Sequence, residues 1–227
     1  MDTKVQLIKS LVELNNFYVR DQLTLPNRDG LYDDIPECLC SGIKFSLNNM
    51  FPNGIYSHQA KAIGLISSGQ DVCLATSTAS GKSLVFMVTA ADHLEKVPNS
   101  RVLALYPAKA LIQDQLIKWR SFLEPLGFTV EYIDGAVPPE NRPGIIKHGR
   151  VILMTPDVAH AWLMSHLQQT EVRDFTSNLH MIILDEVHVY EGVFGTNMAY
   201  FLRRLIAVSN VEKLITSTAT MGGPDYF

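Results

Sequence analysis

The residues best suited to chemistry lie in a short run between two apolar segments, which closes with Gly81, Lys82 and Ser83. At such a strand-to-helix junction, backbone N–H groups can wrap around phosphate oxygens, and the helix N-terminus adds positive potential. Lys82 is expected to reach the β- and γ-phosphates of a nucleoside triphosphate, and the Ser83 hydroxyl is expected to bind Mg²⁺. The predicted phosphate cradle comprises Thr78, Ala79, Ser80, Gly81, Lys82 and Ser83.

The loop departs from the full phosphate-binding pattern at one position. The pattern has a second glycine five residues before Gly81, and this chain has Thr76 there. The loop alone therefore gives only moderate support for nucleotide binding. A second motif is needed before the sequence predicts that a nucleotide is bound and hydrolysed.

That second motif is an acidic pair, Asp185 and Glu186, directly after the apolar run 181–184. Such a run is typical of a buried parallel strand whose acidic tip emerges beside the phosphate loop. Asp185 is expected to hold Mg²⁺ through a water, and Glu186 to orient and deprotonate the attacking water. An acidic pair can also be a solvated strand end. Its order after Gly81 and Lys82 favours triphosphate hydrolysis, with Lys82, Asp185 and Glu186 as the catalytic residues.

The composition indicates a folded domain with no overall attraction for polyanions. The chain has 227 residues, 47% of them hydrophobic, and a formal net charge of −4. A nucleic-acid contact must therefore come from a local groove. Three cysteines without an export-like N-terminus favour a cytoplasmic protein, associated with the nucleoid in a bacterium or the nucleus in a eukaryote. No apolar run approaches the roughly 18 residues that span a bilayer, so we expect no membrane partner.

Strand-like and helix-like segments alternate from Tyr56 onward. Strands are predicted at 72–75, 101–106, 129–133, 151–154, 180–184 and 213–217. This alternation predicts an α/β domain with a mostly parallel sheet and helices on both faces, and with ligands at the carboxyl ends of the strands. The candidate motifs follow such ends, at 76–83, 106–111, 155–157, 185–188 and 218–220. The sequence therefore predicts one composite site.

Residues 1–50 are predicted to be an accessory helical segment, separate from a main domain at 51–227. Apolar residues recur at helical spacing at the N-terminus, and a second helix is expected to begin near Pro36. That second helix would carry three residues inward, Leu39, Ile43 and Leu47. Two later helices are predicted at 157–167 and 196–208.

The order and spacing of the motifs from residue 55 to the end resemble the first RecA-like domain of the superfamily 2 helicases, a P-loop NTPase domain. Residues 80–83 are similar to motif I, and 185–188 to motif II in its Asp-Glu-Val-His form. The resemblance implies ATP and Mg²⁺ as cofactors. It also implies that Gln59, in the run Tyr56–Gln59, reads the adenine.

Residues 218–220, Thr-Ala-Thr, resemble motif III, which couples hydrolysis to strand movement in that family. The resemblance implies a coupling role for Thr218, Thr220 and His188, where His188 would hydrogen-bond toward motif III. His188 could instead be a core histidine with its hydrogen bonds satisfied, but its place after the acidic pair favours the coupling role.

Two further loops resemble the family's nucleic-acid contacts, 106–111 as motif Ia and 155–157 as motif Ib. Both place polar groups at a helix start, where a phosphate can be held without reading sequence. Lys109 and Thr155 are the predicted contacts.

Within the superfamily, the runs Tyr106–Gln115 and Tyr190–Gly195 make the chain similar to the Hrq-like and mitomycin-repair-type DEVH-box DNA helicases. That likeness implies a 3′-to-5′ helicase acting in DNA repair, on DNA in preference to RNA. A double-stranded DNA translocase of a restriction or phage-defence system, and a non-catalytic nucleic-acid-binding scaffold, stay open as alternatives. The family's second RecA-like domain, which supplies arginines worth about 10³–10⁵ in rate, does not follow motif III in this chain. We therefore expect the isolated chain to hydrolyse ATP very slowly.

Overall fold

The computed structural model of the chain describes residues 30–76 and 80–218. The predicted N-terminal helix and three predicted site residues, Thr78, Ala79 and Thr220, lie outside the described residues. From Tyr32 onward the described residues belong to one compact unit.

A parallel sheet forms the centre of this unit. A separate antiparallel pair consists of β1 (Tyr32–Asp33) and β2 (Ile55–Tyr56). The central strands are β3 (Val72–Ala75), β4 (Arg101–Leu105), β5 (Val130–Ile133), β6 (Val151–Met154), β7 (Leu179–Leu184) and β8 (Lys213–Thr218). They lie in the order β3-β8-β7-β4-β6-β5, and each neighbouring pair is parallel. The predicted α/β fold with a mostly parallel sheet is confirmed.

Helices cover both faces of the sheet. Their bounds are α1 Ser41–Met50, α2 Ser57–Ser67, α3 Lys82–Lys96, α4 Lys109–Leu123, α5 Arg142–His148, α6 Pro156–Val158, α7 Thr170–Ser177 and α8 Gly192–Ala207. Alternate residues of β4 point to opposite faces. Val102 and Ala104 contribute to the core with α1–α4, and Leu103 and Leu105 to the core with α5–α8. Among residues 30–76 and 80–218, no helix has the length and apolar character to cross a bilayer.

The helix predicted to begin near Pro36 begins five residues later, at Ser41. Cys40 is the residue before it, and its N–H donates to Asp92 Oδ1 of α3 at 2.9 Å. This long-range hydrogen bond fixes the helix start at a point that local sequence signals do not reveal. The three residues predicted to face inward are buried, namely Leu39, Ile43 and Leu47. They share a core with the sheet, and the functional division at residue 50 stays a prediction.

The other helix boundaries also differ from the predictions. The helix expected at 157–167 is the short α6, followed by a π-helical turn at Ala159–Leu163. Helix α8 begins at Gly192 rather than at residue 196. Helices α5 and α7 were not predicted. The first contains Pro and Gly, although proline is compatible with the first turn of a helix, and the second is mostly polar with Val172 and Phe175 buried.

A buried hydrogen bond fixes α4 against the end of β4. Trp119 Nε1 donates to the Tyr106 hydroxyl at 2.9 Å, and both side chains are fully buried. Tyr106→Phe would leave the indole N–H without its acceptor, so we expect a loss of about 1–3 kcal/mol in the free energy of unfolding. Urea denaturation measures this loss. Tyr200→Phe on the exposed side of α8 is the control, and an equal midpoint for both variants would contradict the assignment.

Candidate functional site

The predicted site residues lie at the carboxyl ends of neighbouring strands. The phosphate loop follows β3, Thr218 ends β8, and Asp185 follows β7. Because these three strands are adjacent in the sheet, the loop and the acidic pair meet at one edge. Burial raises the pKa of the Asp185 carboxyl, and the positive charge of Lys82 is near enough to oppose that shift to a small extent. The structure therefore places the ammonium of Lys82 and the carboxylate of Asp185 at the same site.

Two side chains of α2 hold the carbonyl groups of the phosphate loop. His58 Nε2 lies 3.0 Å from the carbonyl oxygen of Ser80, and Gln59 Nε2 donates to the carbonyl of Gly81 at 2.9 Å. In a trans peptide the C=O and the following N–H point in opposite directions. These two contacts therefore direct the N–H groups of Gly81 and Lys82 away from α2, as a phosphate-binding loop requires.

Gly81 occupies a position that only glycine fits. Its φ is +76°, a region that L side chains rarely adopt. A Cβ at this position would also collide with Gln59 Nε2. The glycine thus allows both the turn into α3 and the close approach of α2.

Thr76, the residue that departs from the glycine pattern, helps to close the loop. Its hydroxyl lies 2.6 Å from the Ser80 hydroxyl, and its carbonyl accepts a hydrogen bond from Lys82 Nζ at 3.1 Å. Its N–H donates to the carbonyl of Thr218 at 3.3 Å. The threonine side chain therefore joins the two ends of the loop, which a glycine could not do.

Asp185 is buried, with 8% of its surface exposed. The Ser217 hydroxyl and the N–H of Glu186 both donate to its Oδ1. Burial raises the pKa of the Asp185 carboxyl, and the hydrogen bond from Ser217 opposes that shift because it favours the charged form. The carboxylate of Asp185 and the hydroxyl of Ser83 are hard oxygen ligands of the kind that Mg²⁺ prefers. The residues present therefore fit the predicted metal.

Glu186 has a strained backbone and an available carboxylate oxygen. Its φ is +51°, which is uncommon for a residue other than glycine and is often associated with functional sites. Its Oε2 is buried, and no donor among the described residues makes a hydrogen bond to it. His188 Nδ1 lies 3.3 Å from this oxygen, a contact that becomes an ion pair when the imidazole is protonated. A buried carboxylate oxygen without a hydrogen-bond donor is suited to accept a proton from water.

His188 also lies close to β8. Its Nδ1 is 3.2 Å from the Thr218 hydroxyl, so one ring nitrogen contacts the residue at the end of β8 and approaches Glu186. The histidine is half-buried between these groups. This position is compatible with the predicted coupling role, which stays a prediction.

Gln59 makes two contacts within the protein. Besides its hydrogen bond to Gly81, its Oε1 accepts a hydrogen bond from the N–H of Tyr56 at 3.0 Å. A carboxamide has two donors and two lone pairs on its oxygen, so each end keeps one further bonding position. Recognition of adenine by Gln59 therefore stays a prediction, and the structure assigns this side chain a contact with the phosphate loop.

The predicted nucleic-acid contacts follow the next strands along the same edge. Lys109 is exposed and is the first residue of α4, which follows β4. Thr155 precedes α6 at the end of β6 and is 7% exposed. The sheet order thus puts the nucleotide residues on β3, β8 and β7 and the predicted strand contacts on β4 and β6. The roles of both residues stay predictions.

Three residues of the site were missed by sequence reasoning. They are His58, which contacts the phosphate loop, Ser217, which contacts Asp185, and Gln115, which contacts Ser83. His58 and Ser217 adjoin recognised motifs, so their positions could have suggested a role. Gln115 lies within a helix, and its contact depends on how two helices pack.

Residues 56–226 match the sequence profile of the DEAD/DEAH box helicases. The ATP-dependent helicase HRQ1 of Saccharomyces cerevisiae is 32% identical over 96% of this chain, and the match covers 21% of that protein. The uncharacterized ATP-dependent helicase YprA of Bacillus subtilis is 29% identical over 95% of this chain and 30% of that protein. The chain therefore spans less than a third of either relative.

A solved structure has a similar fold. The crystal structure of the DUF1998 helicase MrfA bound to DNA and AMPPNP superimposes with a TM-score of 0.81 at 28% identity. The superposition covers 98% of this chain and 32% of MrfA. Both the sequence matches and this structure relate the chain to one part of a larger protein.

Proposed function

The chain belongs to the DEAD/DEAH box helicase family, and from that premise we propose that it is the ATP-binding domain of an ATP-dependent nucleic-acid helicase. Residues 51–227 are the proposed RecA-like motor domain, with residues 1–50 as an accessory segment and a second RecA-like domain as its partner. The observation that supports this function best is the convergence of Lys82 and the buried Asp185, with Glu186 next to it in sequence, at neighbouring strand ends.

The proposed chemistry is hydrolysis of ATP with Mg²⁺ as cofactor. The N–H groups of the phosphate loop bind phosphate oxygens, and Lys82 neutralises charge on the terminal phosphates. Ser83 and Asp185 would hold Mg²⁺, which would supply positive charge to offset the negative charge of the terminal phosphates. Glu186 orients the attacking water and accepts its proton.

The proposed strand contacts lie on the other half of the same sheet edge. Lys109 supplies a full positive charge at an exposed helix start, where a phosphate would be held without sequence readout. The net charge of −4 provides no general attraction for nucleic acid, so the proposal depends on this local surface. MrfA has been crystallised with DNA, and its likeness to this chain supports DNA as the substrate. We propose DNA repair as the process on the resemblance of the motif sequences alone.

Strand displacement by the complete polypeptide tests this function. We expect ATP- and Mg²⁺-dependent separation of a DNA duplex with a 3′ single-stranded tail, and no separation of one with a 5′ tail. A matched duplex with a 3′ RNA tail tests the preference for DNA. Activity on the 5′ tail alone would contradict the polarity, and activity on the RNA tail alone would contradict the substrate.

Two further measurements separate the helicase from the two alternatives. ATP-dependent displacement of a third strand from a triplex, without separation of the duplex, would indicate a double-stranded DNA translocase. Nucleic-acid binding without any ATP hydrolysis would indicate a scaffold. The presence of Lys82, Asp185 and Glu186 together favours the motor over the scaffold, because a module without turnover needs none of them.

A further inference from the structure

Ser83 and Gln115 form a contact between α3 and α4 at the predicted metal site. The Ser83 hydroxyl donates to Gln115 Oε1 at 2.9 Å. Gln115 is buried, with 8% of its surface exposed, although it is polar and lies in a helix whose other buried residues are apolar. Buried polar side chains are usually retained in contact with a specific partner, and the partner here is the hydroxyl expected to bind Mg²⁺.

The direction of this hydrogen bond determines whether a lone pair of the Ser83 hydroxyl is available to bind a metal. A serine hydroxyl carries one proton and two lone pairs. A cation accepts only a lone pair, so a proton pointing toward it would be repelled. Because the Ser83 hydroxyl points its proton at Gln115 Oε1, both lone pairs of Ser83 stay available on the remaining sides of the oxygen.

The orientation of the Gln115 amide is itself fixed by a neighbour. Its Nε2 donates to Asp114 Oδ2 at 3.0 Å, and Lys118 Nζ donates to the same carboxylate oxygen at 2.6 Å. Lys118 holds the pKa of Asp114 below its usual value, so the carboxylate remains a charged acceptor. An amide with its nitrogen held by Asp114 presents its oxygen to Ser83, because the opposite orientation would place two acceptors together.

We propose that Gln115 is a positioning residue for the Mg²⁺-binding hydroxyl of Ser83, an inference that rests on the nucleotide-binding function proposed above. Gln115 does not touch the metal. It accepts a hydrogen bond from the Ser83 hydroxyl and thereby fixes the rotamer in which a lone pair of that oxygen is available to the metal. The contact also joins the metal-binding hydroxyl to α4, the helix that begins at the predicted strand contact Lys109.

The test is the Mg²⁺ dependence of nucleotide binding by the full 227-residue chain, followed with a fluorescent ATP analogue. For Gln115→Ala we expect the Mg²⁺ concentration at half-saturation to rise about tenfold, as is typical when the partner of a metal ligand is removed. Binding of the analogue in EDTA should be unchanged, because the hydroxyl matters only for the metal.

Two controls make the result specific. Gln113→Ala removes the same kind of side chain from an exposed position of α4 and should behave like the wild type. In Ser83→Ala the additional change Gln115→Ala should have no further effect, because the two residues act through one contact.

The experiment distinguishes failure of the inference about Gln115 from failure of the proposed function. Equal Mg²⁺ dependence in Gln115→Ala and the wild type, with Ser83→Ala impaired, would overturn the inference and leave the proposed function intact. Weaker binding of Gln115→Ala in EDTA would overturn it in favour of a general structural role. Wild-type binding of the analogue that does not respond to Mg²⁺ would refute the proposed metal site and the inference with it. No binding of the analogue by the wild type under either condition would refute the nucleotide-binding function itself.

Discussion

Lys82→Ala is expected to weaken ATP binding by about 100-fold or more, which corresponds to about 3 kcal/mol. The ammonium is mostly buried at the start of α3, close enough to influence Asp185 electrostatically. Its removal would leave Mg²⁺ alone to offset the negative charge of the terminal phosphates and of Asp185. Truncation of one partner of a buried charge pair is costly because the other charge stays desolvated. Equilibrium titration with a fluorescent ATP analogue measures the loss.

The matched control is Lys61→Ala, which removes an exposed lysine from α2. It tests whether a change of one unit of net charge is enough to weaken binding, and we expect an affinity equal to that of the wild type. Lys82 also donates to the carbonyl of Thr76, so thermal unfolding of both variants should be compared. ATP affinity of Lys82→Ala close to that of the wild type would refute the placement of the triphosphate in this loop.

The position of the site along the sheet could be predicted from sequence because each motif adjoins an apolar strand. In a parallel sheet the carboxyl ends of the strands lie at one edge, so residues far apart in sequence converge without any knowledge of their side-chain contacts. The apolar run before Asp185 is β7, with four buried residues at Met181–Leu184. The strand pattern alone was therefore enough to place Asp185 and the phosphate loop at one edge of the sheet, whereas the strand order β3-β8-β7 that brings them close was not predicted.

The consequence of Thr76 could not be predicted from sequence. The glycine pattern describes backbone freedom, and a threonine at this position looks like a defect of the loop. In the structure its hydroxyl contacts the hydroxyl of Ser80, an interaction between side chains on opposite ends of the loop. A one-dimensional pattern contains no information on such a closure, because it depends on the loop conformation itself.

The start of α1 and the contact between Ser83 and Gln115 could not be predicted from sequence for a different reason. The start of α1 depends on a hydrogen bond from Cys40 to Asp92, and the role inferred for Gln115 depends on the packing of α4 beside Ser83. These contacts link residues that are distant in sequence, so local capping rules and periodicity cannot reveal them. Tertiary packing determined both.

Glu186→Gln is expected to separate binding from chemistry. Glutamine keeps the size of the side chain but cannot accept a proton from the attacking water. We expect the rate of ATP hydrolysis to fall by about 10²–10⁴, the usual contribution of a general base. Affinity for ATP should be equal to or tighter than that of the wild type, because one negative charge beside the triphosphate is removed. Single-turnover hydrolysis and equilibrium binding by the complete polypeptide measure the two quantities separately.

Glu191→Gln is the matched control, since Glu191 is an exposed glutamate at the start of α8. It should hydrolyse ATP at the wild-type rate. Contact of this carboxylate with the attacking water would explain the strained backbone of Glu186 and its buried oxygen, to which no donor among the described residues makes a hydrogen bond. Undiminished hydrolysis by Glu186→Gln would therefore remove the reason for the strain and would require a different general base. Loss of binding together with hydrolysis would indicate instead that Glu186 supports the loop, and the roles of the acidic pair would have to be reassigned.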